Sequence, residues 1–300
     1  MWRSPTAWCS CSCSSGPRSS LPSCRGSRAR RPTSRPLRRS EKAMAELLVW
    51  PALIGYGEAA FAYSGFLRSQ GTSARLGIWG VRIGWLAQTG LLVAQALDTE
   101  GFPWGTWAGA LNLFVWLVVG AYLIWGCTPR YRLLGLVVMP FASVLLVAAW
   151  AGGGTGGSTS DTAGGLLALH VGLMLAGFAG LTLAGGLAGL YLWQGRRLKR
   201  RDTGVLRLRL PPLETLDRLS ARTALISLVI LTTGIAAGLA SFDRGDFDIP
   251  MATTIAVWAL YAAGLLLRRE GRIQARRFAV LLVYGFALVV VVLPLTHFAS

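Results

Sequence analysis

Histidine is the scarcest chemistry-bearing residue in this chain, with 2 in 300 positions. His170 stands five residues into an apolar run over 165–194, and His297 closes another over 278–297. An imidazole can ligate a metal or move a proton near neutral pH. Between these two runs lies Ser241–Pro250, a segment that holds Phe242, Arg244 and Phe247. If both runs cross a membrane, the two imidazoles lie at one depth with an aromatic loop between their helices. Such a pair could hold a planar metal cofactor from both faces, and haem with two axial histidines has that chemistry. The alternative is that each imidazole simply rests, as an amphipathic group, at the level of the lipid headgroups. Two histidines do not complete a zinc site, which takes three or four protein ligands. Cys9, Cys11 and Cys13 have C-x-C-x-C spacing without a nearby histidine, which fits no zinc pattern.

Ionisable residues inside apolar runs are the next candidates, because burying a charge in lipid is costly. Glu58 and Arg82 are two such residues, in the first and second runs. Counted from the basic loop that joins their segments they have similar depth, which predicts an ion pair between the two helices; the alternative is an arginine that snorkels alone and a protonated glutamate. Gln88 and Gln95 offer hydrogen bonds to a cofactor or, more simply, to neighbouring helices. No phosphate loop, dinucleotide fingerprint, nucleophile elbow or H-E-x-x-H is present, so nothing points to a hydrolase or a nucleotide-driven pump. The expectation is a carrier or assembly factor rather than an enzyme.

The elements that must position these residues follow from composition. Of all residues 53% are apolar and 14% charged, too little polarity to clothe a soluble domain of this size. Apolar runs fall at about 45–67, 76–97, 105–125, 133–151, 165–194, 222–241, 251–267 and 278–297. Runs of roughly 20 residues match a hydrocarbon core about 30 Å thick. In lipid every backbone polar group must be paired within its own element, so the runs are helices. The fold class predicted is all-α, a polytopic transmembrane bundle of about eight helices.

The joining loops alternate in charge. The first, third, fifth and seventh carry bases, with Arg196, Arg197, Lys199, Arg200 and Arg201 opening the fifth and Arg268, Arg269, Arg272, Arg276 and Arg277 in and around the seventh. The second, fourth and sixth are acidic or neutral. Basic loops stay in the cytoplasm, so both termini are expected outside, in a bacterial cell membrane. The net charge of +17 does not point to nucleic acid, because it is spread over short loops and a basic leader. Ten of the 30 bases precede Met44, in a Ser/Arg/Pro-rich stretch. They would lie on the wrong side of this topology, so residues 1–43 read as a disordered or mis-annotated extension and 44–300 as the membrane domain.

The fifth run is rich in glycine, and Gly185 with Gly189 forms a small-xxx-small pair that lets helices approach. Beyond it comes Leu210-Pro211-Pro212-Leu213-Glu214-Thr215-Leu216-Asp217-Arg218-Leu219. The prolines set a helix start, and Leu213, Leu216 and Leu219 share a face, which predicts a short amphipathic helix on the inner leaflet.

Over about 76–297 the chain resembles the cytochrome c assembly family of haem-handling membrane proteins, the CcsA/CcmC/HemX-like group. The likeness rests on Gly101-Phe102-Pro103, on His170 opening a helix that runs to Tyr191-Leu192-Trp193-Gln194, on Asp248-Ile249-Pro250, on Trp258-Ala259-Leu260-Tyr261 and on Gly285-Phe286-Ala287. Most specific is the Leu210–Leu219 run, similar to LPxLETLDRL of the HemX-like branch. The resemblance implies that a tryptophan-rich outer loop presents haem and that two flanking histidines, here His170 and His297, are axial ligands. The chain departs from the pattern in having Phe242 and Phe247, and no tryptophan, in that loop, and in lacking histidines deeper in the membrane. The expectation is an aromatic platform of Phe242, Phe247, Trp104 and Trp107; the alternative for the two tryptophans is an ordinary interfacial aromatic belt. Arg244 is a candidate partner for a haem propionate, because a guanidinium suits a carboxylate. A transiently bound b-type haem, the lipid bilayer and a membrane partner of the cytochrome c maturation machinery are the expected ligand and partners. The alternatives are a HemX-like regulator of haem synthesis working through the basic loops, and a small-molecule transporter, which would want a midplane polar site and an inverted repeat.

Overall fold

The computed structural model describes residues 35–66, 73–98, 106–126, 132–154, 165–201, 211–241 and 249–298. Among them eight helices follow one another: α1 (Arg35–Phe66), α2 (Ser73–Asp98), α3 (Trp107–Gly126), α4 (Arg132–Ala151), α5 (Gly165–Lys199), α6 (Leu213–Ser241), α7 (Ile249–Arg269) and α8 (Ala275–Phe298). Six of them, α2 to α7, are long and apolar enough to cross a membrane. In α1 the apolar stretch is the shorter Leu47–Tyr63. α1 runs along α2, and α8 along α5 and α7, so both lie beside membrane-length neighbours. The protein is a multi-pass helical membrane bundle.

α1 begins at Arg35, nine residues ahead of Met44, so helix reaches back into the basic leader; residues 1–34 lie outside the described residues.

The helices form two four-helix bundles that share a wall. α1, α2, α3 and α4 close a ring of neighbours, and α5, α6, α7 and α8 close another. α5 joins them, because it also packs on α3 and α4. Its two faces are phased for this double duty. Ala179, Leu183, Leu187 and Leu190 enter the first core, with Tyr56, Tyr63, Val118 and Leu146. Phe178, Leu181, Ala184 and Ala188 enter the second, with Leu231, Tyr261, Phe278 and Leu282.

Lipid is as apolar as leucine, so these helices gain little from hiding leucine from it; close packing and interhelical hydrogen bonds hold them instead. At the α1–α2 seam a Cβ on Gly55 would come within 2.6 Å of Gly80 O, so the two backbones touch only because both positions lack a side chain. Gly185 does the same for α8, where a Cβ would meet Phe286 at 2.7 Å, while Gly189 faces open space. Of the glycine pair read from the sequence, only the first member serves a helix contact.

The first bundle also contains a closed polar network. Tyr56 Oη donates to Gln88 Oε1 at 2.7 Å. Gln88 Nε2 donates to the side chain and backbone oxygens of Asn112, at 2.9 and 3.0 Å. Asn112 Nδ2 reaches Gln95 Oε1 at 3.4 Å, and Gln95 Nε2 donates to Gly154 O at 2.9 Å. Gln88, Gln95 and Asn112 are at most 2% exposed. The two glutamines thus bond neighbouring helices, the simpler of the two roles open to them.

Arg82 does not meet Glu58 across the seam. It stands two residues from both Gly80 and Gly84, which face α1, so at 100° per residue it projects from the far side of α2. Both residues are exposed, and the Arg82 guanidinium lies 5.5 Å from the centre of the Trp79 ring. Equal depth was a sound inference, and the helical face was the missing coordinate.

Gln88→Leu is expected to lower stability by about 1–2 kcal/mol, because it orphans the Tyr56 hydroxyl and the Asn112 amide. Unfolding in mixed micelles, followed by tryptophan fluorescence, measures this. Adding Tyr56→Phe to that variant should cost less than the two single changes summed; strict additivity would show that the network is not coupled.

Candidate functional site

His170 is held by α6. Its Nδ1 lies 2.7 Å from Gly234 O. A carbonyl only accepts, so Nδ1 carries the proton. Gly234 O already serves its own helix, and its second lone pair is what the histidine uses. One turn further on, a Cβ at Gly238 would come within 2.5 Å of His170 Cε1 and 2.7 Å of Nδ1. The ring therefore packs against the α6 backbone at Gly238. This arrangement, with one imidazole nitrogen tied to a backbone carbonyl, is how proteins orient a histidine that ligates through the other nitrogen.

His297 is on the neighbouring helix, and its side chain lies outside what the structure describes. Its level follows from the α5–α8 register. Gly185 meets Phe286 and Leu282 O. Fifteen residues along α5 from there reach His170, while eleven to fifteen along antiparallel α8 reach His297. At about 1.5 Å per residue the two backbones stand within about 6 Å of one level. Both are at the end of the bundle away from the basic loops, as the loop pattern requires.

Of the expected aromatic platform, Trp107 is described and Trp104, Phe242 and Phe247 lie outside the described residues, as does Arg244. Trp107 opens α3 at the same end of the bundle, and its ring lies over Gly152 at the end of α4. It is thus seated on the first bundle, whereas His170 is seated on the second. No group of three or more His, Cys, Asp or Glu side chains comes together among the described residues.

At the opposite end the Leu210–Leu219 run does something the sequence reading missed. It is no separate surface helix: α6 runs unbroken from Leu213 to Ser241. Leu216 is buried in the first core rather than laid on lipid. Three hydrogen bonds hold this start. Gln194 Nε2 donates to Pro211 O at 3.2 Å. Arg268 of α7 grips both oxygens of Asp217, at 2.7 and 2.6 Å, with its guanidinium 4.7 Å from the Phe278 ring of α8. Asp217 and Arg268 are 51 residues apart, so no local spacing signals the pair.

With this geometry in view the comparisons are specific. The chain matches the cytochrome c assembly protein family over residues 104–298. The chain belongs to the cytochrome c assembly protein family. It is 26% identical to the cytochrome c biogenesis protein CcsA of Microcystis aeruginosa over 270 residues, covering 71% of this chain and 82% of that protein. It is 28% identical to Protein HemX of Brevibacillus brevis over 181 residues, covering 60% of this chain and 66% of the relative. No solved structure matches the chain. The family match takes in His170, the Leu210–Leu219 run and His297, and leaves out α1 and α2.

With only two histidines in the chain, magnetic resonance of isotope-labelled histidine gives two ring signals, and His170 is expected to report the Nδ1-protonated tautomer. Gly238→Val should displace that ring and change its signal while leaving that of His297 in place. An Nε2-protonated His170 in the parent would contradict the bond to Gly234.

Proposed function

We propose that this protein holds haem at the His170 end of the second bundle as one step of cytochrome c biogenesis. Family membership supports the role in biogenesis. The observation that carries the haem reading is the seat of His170: Nδ1 donates to Gly234 O, the backbone-carbonyl bond by which metal-ligating histidines are oriented. The donor set fits. A second imidazole, His297, is on the adjacent helix at nearly the same level, and a six-coordinate haem iron takes two such axial nitrogens.

Within this reading each residue has a bounded task. His170 and His297 ligate. Gly234 and Gly238 fix the His170 ring. Phe242, Phe247, Trp104 and Trp107 supply faces against which a flat macrocycle packs, and Arg244 supplies a fork for a carboxylate. Haem is cargo, bound transiently, and brings its own redox chemistry. The alternation of basic loops supports a site on the outer face of a bacterial cell membrane, with both chain ends on that side. In this reading a membrane partner in the maturation machinery performs the covalent attachment.

The test is the absorption spectrum of the full chain purified in detergent, beside His170→Ala and His297→Ala. The expected result is a haem spectrum in the parent that is weakened or shifted in both variants. A parent that takes up no haem even on reconstitution would end the carrier reading and leave the HemX-like regulatory one, in which the histidines are dispensable.

A further inference from the structure

We propose that the basic end of the second bundle is a binding surface for acidic phospholipid headgroups. This stands apart from the haem reading, at the other end of the molecule. The helix registers build the surface from three helices. Gly264 meets Leu281 and Gly185 meets Phe286 and Leu282. Arg268 and Arg269 of α7 are thereby level with Arg276 and Arg277 of α8 and with Leu192 and Trp193 of α5, one turn short of Arg196 and Arg197. Trp193 marks that level as the membrane interface, with the Arg197 guanidinium 5.7 Å from its ring centre.

The depth is that of headgroups. α5 has 35 residues, roughly 52 Å of helix, against a bilayer of about 40–45 Å including its polar layers. Its last turns, with Arg196, Arg197, Lys199, Arg200 and Arg201 all exposed, must stand in or through the headgroup layer.

Among the described residues the charge is offset only in part. Described residues at this end include twelve bases, counted over 196–201, 218–222 and 268–277, and three acids. Each acid is already held by an arginine: Glu214 by Arg218, Asp217 by Arg268 and Glu270 by Arg272. Eleven of the twelve bases are arginine, whose planar fork matches a phosphate in two hydrogen bonds. A soluble acidic protein would engage the projecting α5 tip. The bases of α7 and α8, flush with Trp193, face the plane of the headgroups instead, so lipid is the occupant.

The experiment is thermal unfolding of the full chain in a non-ionic detergent, with phosphatidylglycerol, phosphatidylcholine or inorganic phosphate added. Phosphatidylglycerol is expected to raise the Tm by roughly 5 °C over phosphatidylcholine at saturation, and the gain should shrink as salt is raised. The variant Arg196→Gln with Arg269→Gln, Arg276→Gln and Arg277→Gln should lose at least half the gain, and the same four changes to Lys should retain most of it. Equal Tm values in the two lipids would overturn the proposal and leave an acidic protein as the partner. Free phosphate reproducing the whole gain would overturn it in favour of a soluble anion. If the Gln variant does not fold, the parent decides alone: a gain indifferent to salt is not headgroup binding.

Discussion

Backbone contact between α5 and α6 is the constraint on which both ends of the second bundle depend. Helices in lipid approach closely where small residues remove the steric barrier, and here the barrier is removed from both sides: Gly177 lies on Leu231, Gly180 on Ser227, Gly234 on Leu173 and Met174, and Gly238 on His170. Fixing that contact fixes two bonds well separated along the bundle. At one end it delivers Gly234 O to the imidazole. At the other it delivers Pro211 O to Gln194. A one-residue slip along α6 would turn its surface by about 100° and present a side chain where the ring now lies. The glycines therefore set the tautomer and orientation of a histidine, as well as the distance between two helices.

The two bundles treat their polar groups differently. In the first, Tyr56, Gln88, Asn112 and Gln95 satisfy one another and end on a backbone carbonyl, so four helices are tied by side chains that bond inward. A transporter's midplane site would instead present polar groups to a cavity. In the second bundle the stretch of α5 around His170 is only half covered. Along α5 the buried positions begin at Gly177, two turns below the histidine. Packing in the second bundle is thus dense at depth and looser near the His170 end, whereas the first bundle is tied together by its buried network.

Most of the architecture could be read from the chain, because its signals are local or periodic. Eight apolar runs became eight helices, and the alternating loop charge set both histidines at one end. Leucine spacing in 213–219 gave the right face for Leu216, yet the reading placed that face on lipid; nothing within ten residues reports that α5 lies there to cover it. Arg82 failed for a related reason, since depth along a helix is read by counting, while the side it faces depends on which neighbour the glycines select. The Asp217–Arg268 pair and Asn112 as the hub of a network were invisible, because both join residues from different helices. For His170, sequence supplied the residue and its depth, and only the fold supplied the carbonyl that assigns its proton.

α5 ties these observations together, since its opposite faces belong to different cores. A helix packed on both sides cannot rotate to suit a ligand without disturbing α3, α4, α6 and α8, on which it packs. α6 is exposed on its other side, at Leu225, Ile226 and Val229, and carries both the Gly234 carbonyl and the Gly238 wall. Asp217 anchors the same helix 17 residues away, about 26 Å down its axis, through its two bonds to Arg268. That anchor sits in the basic end, so the end of the bundle rich in arginine holds the foot of the helix whose upper turns shape the histidine site.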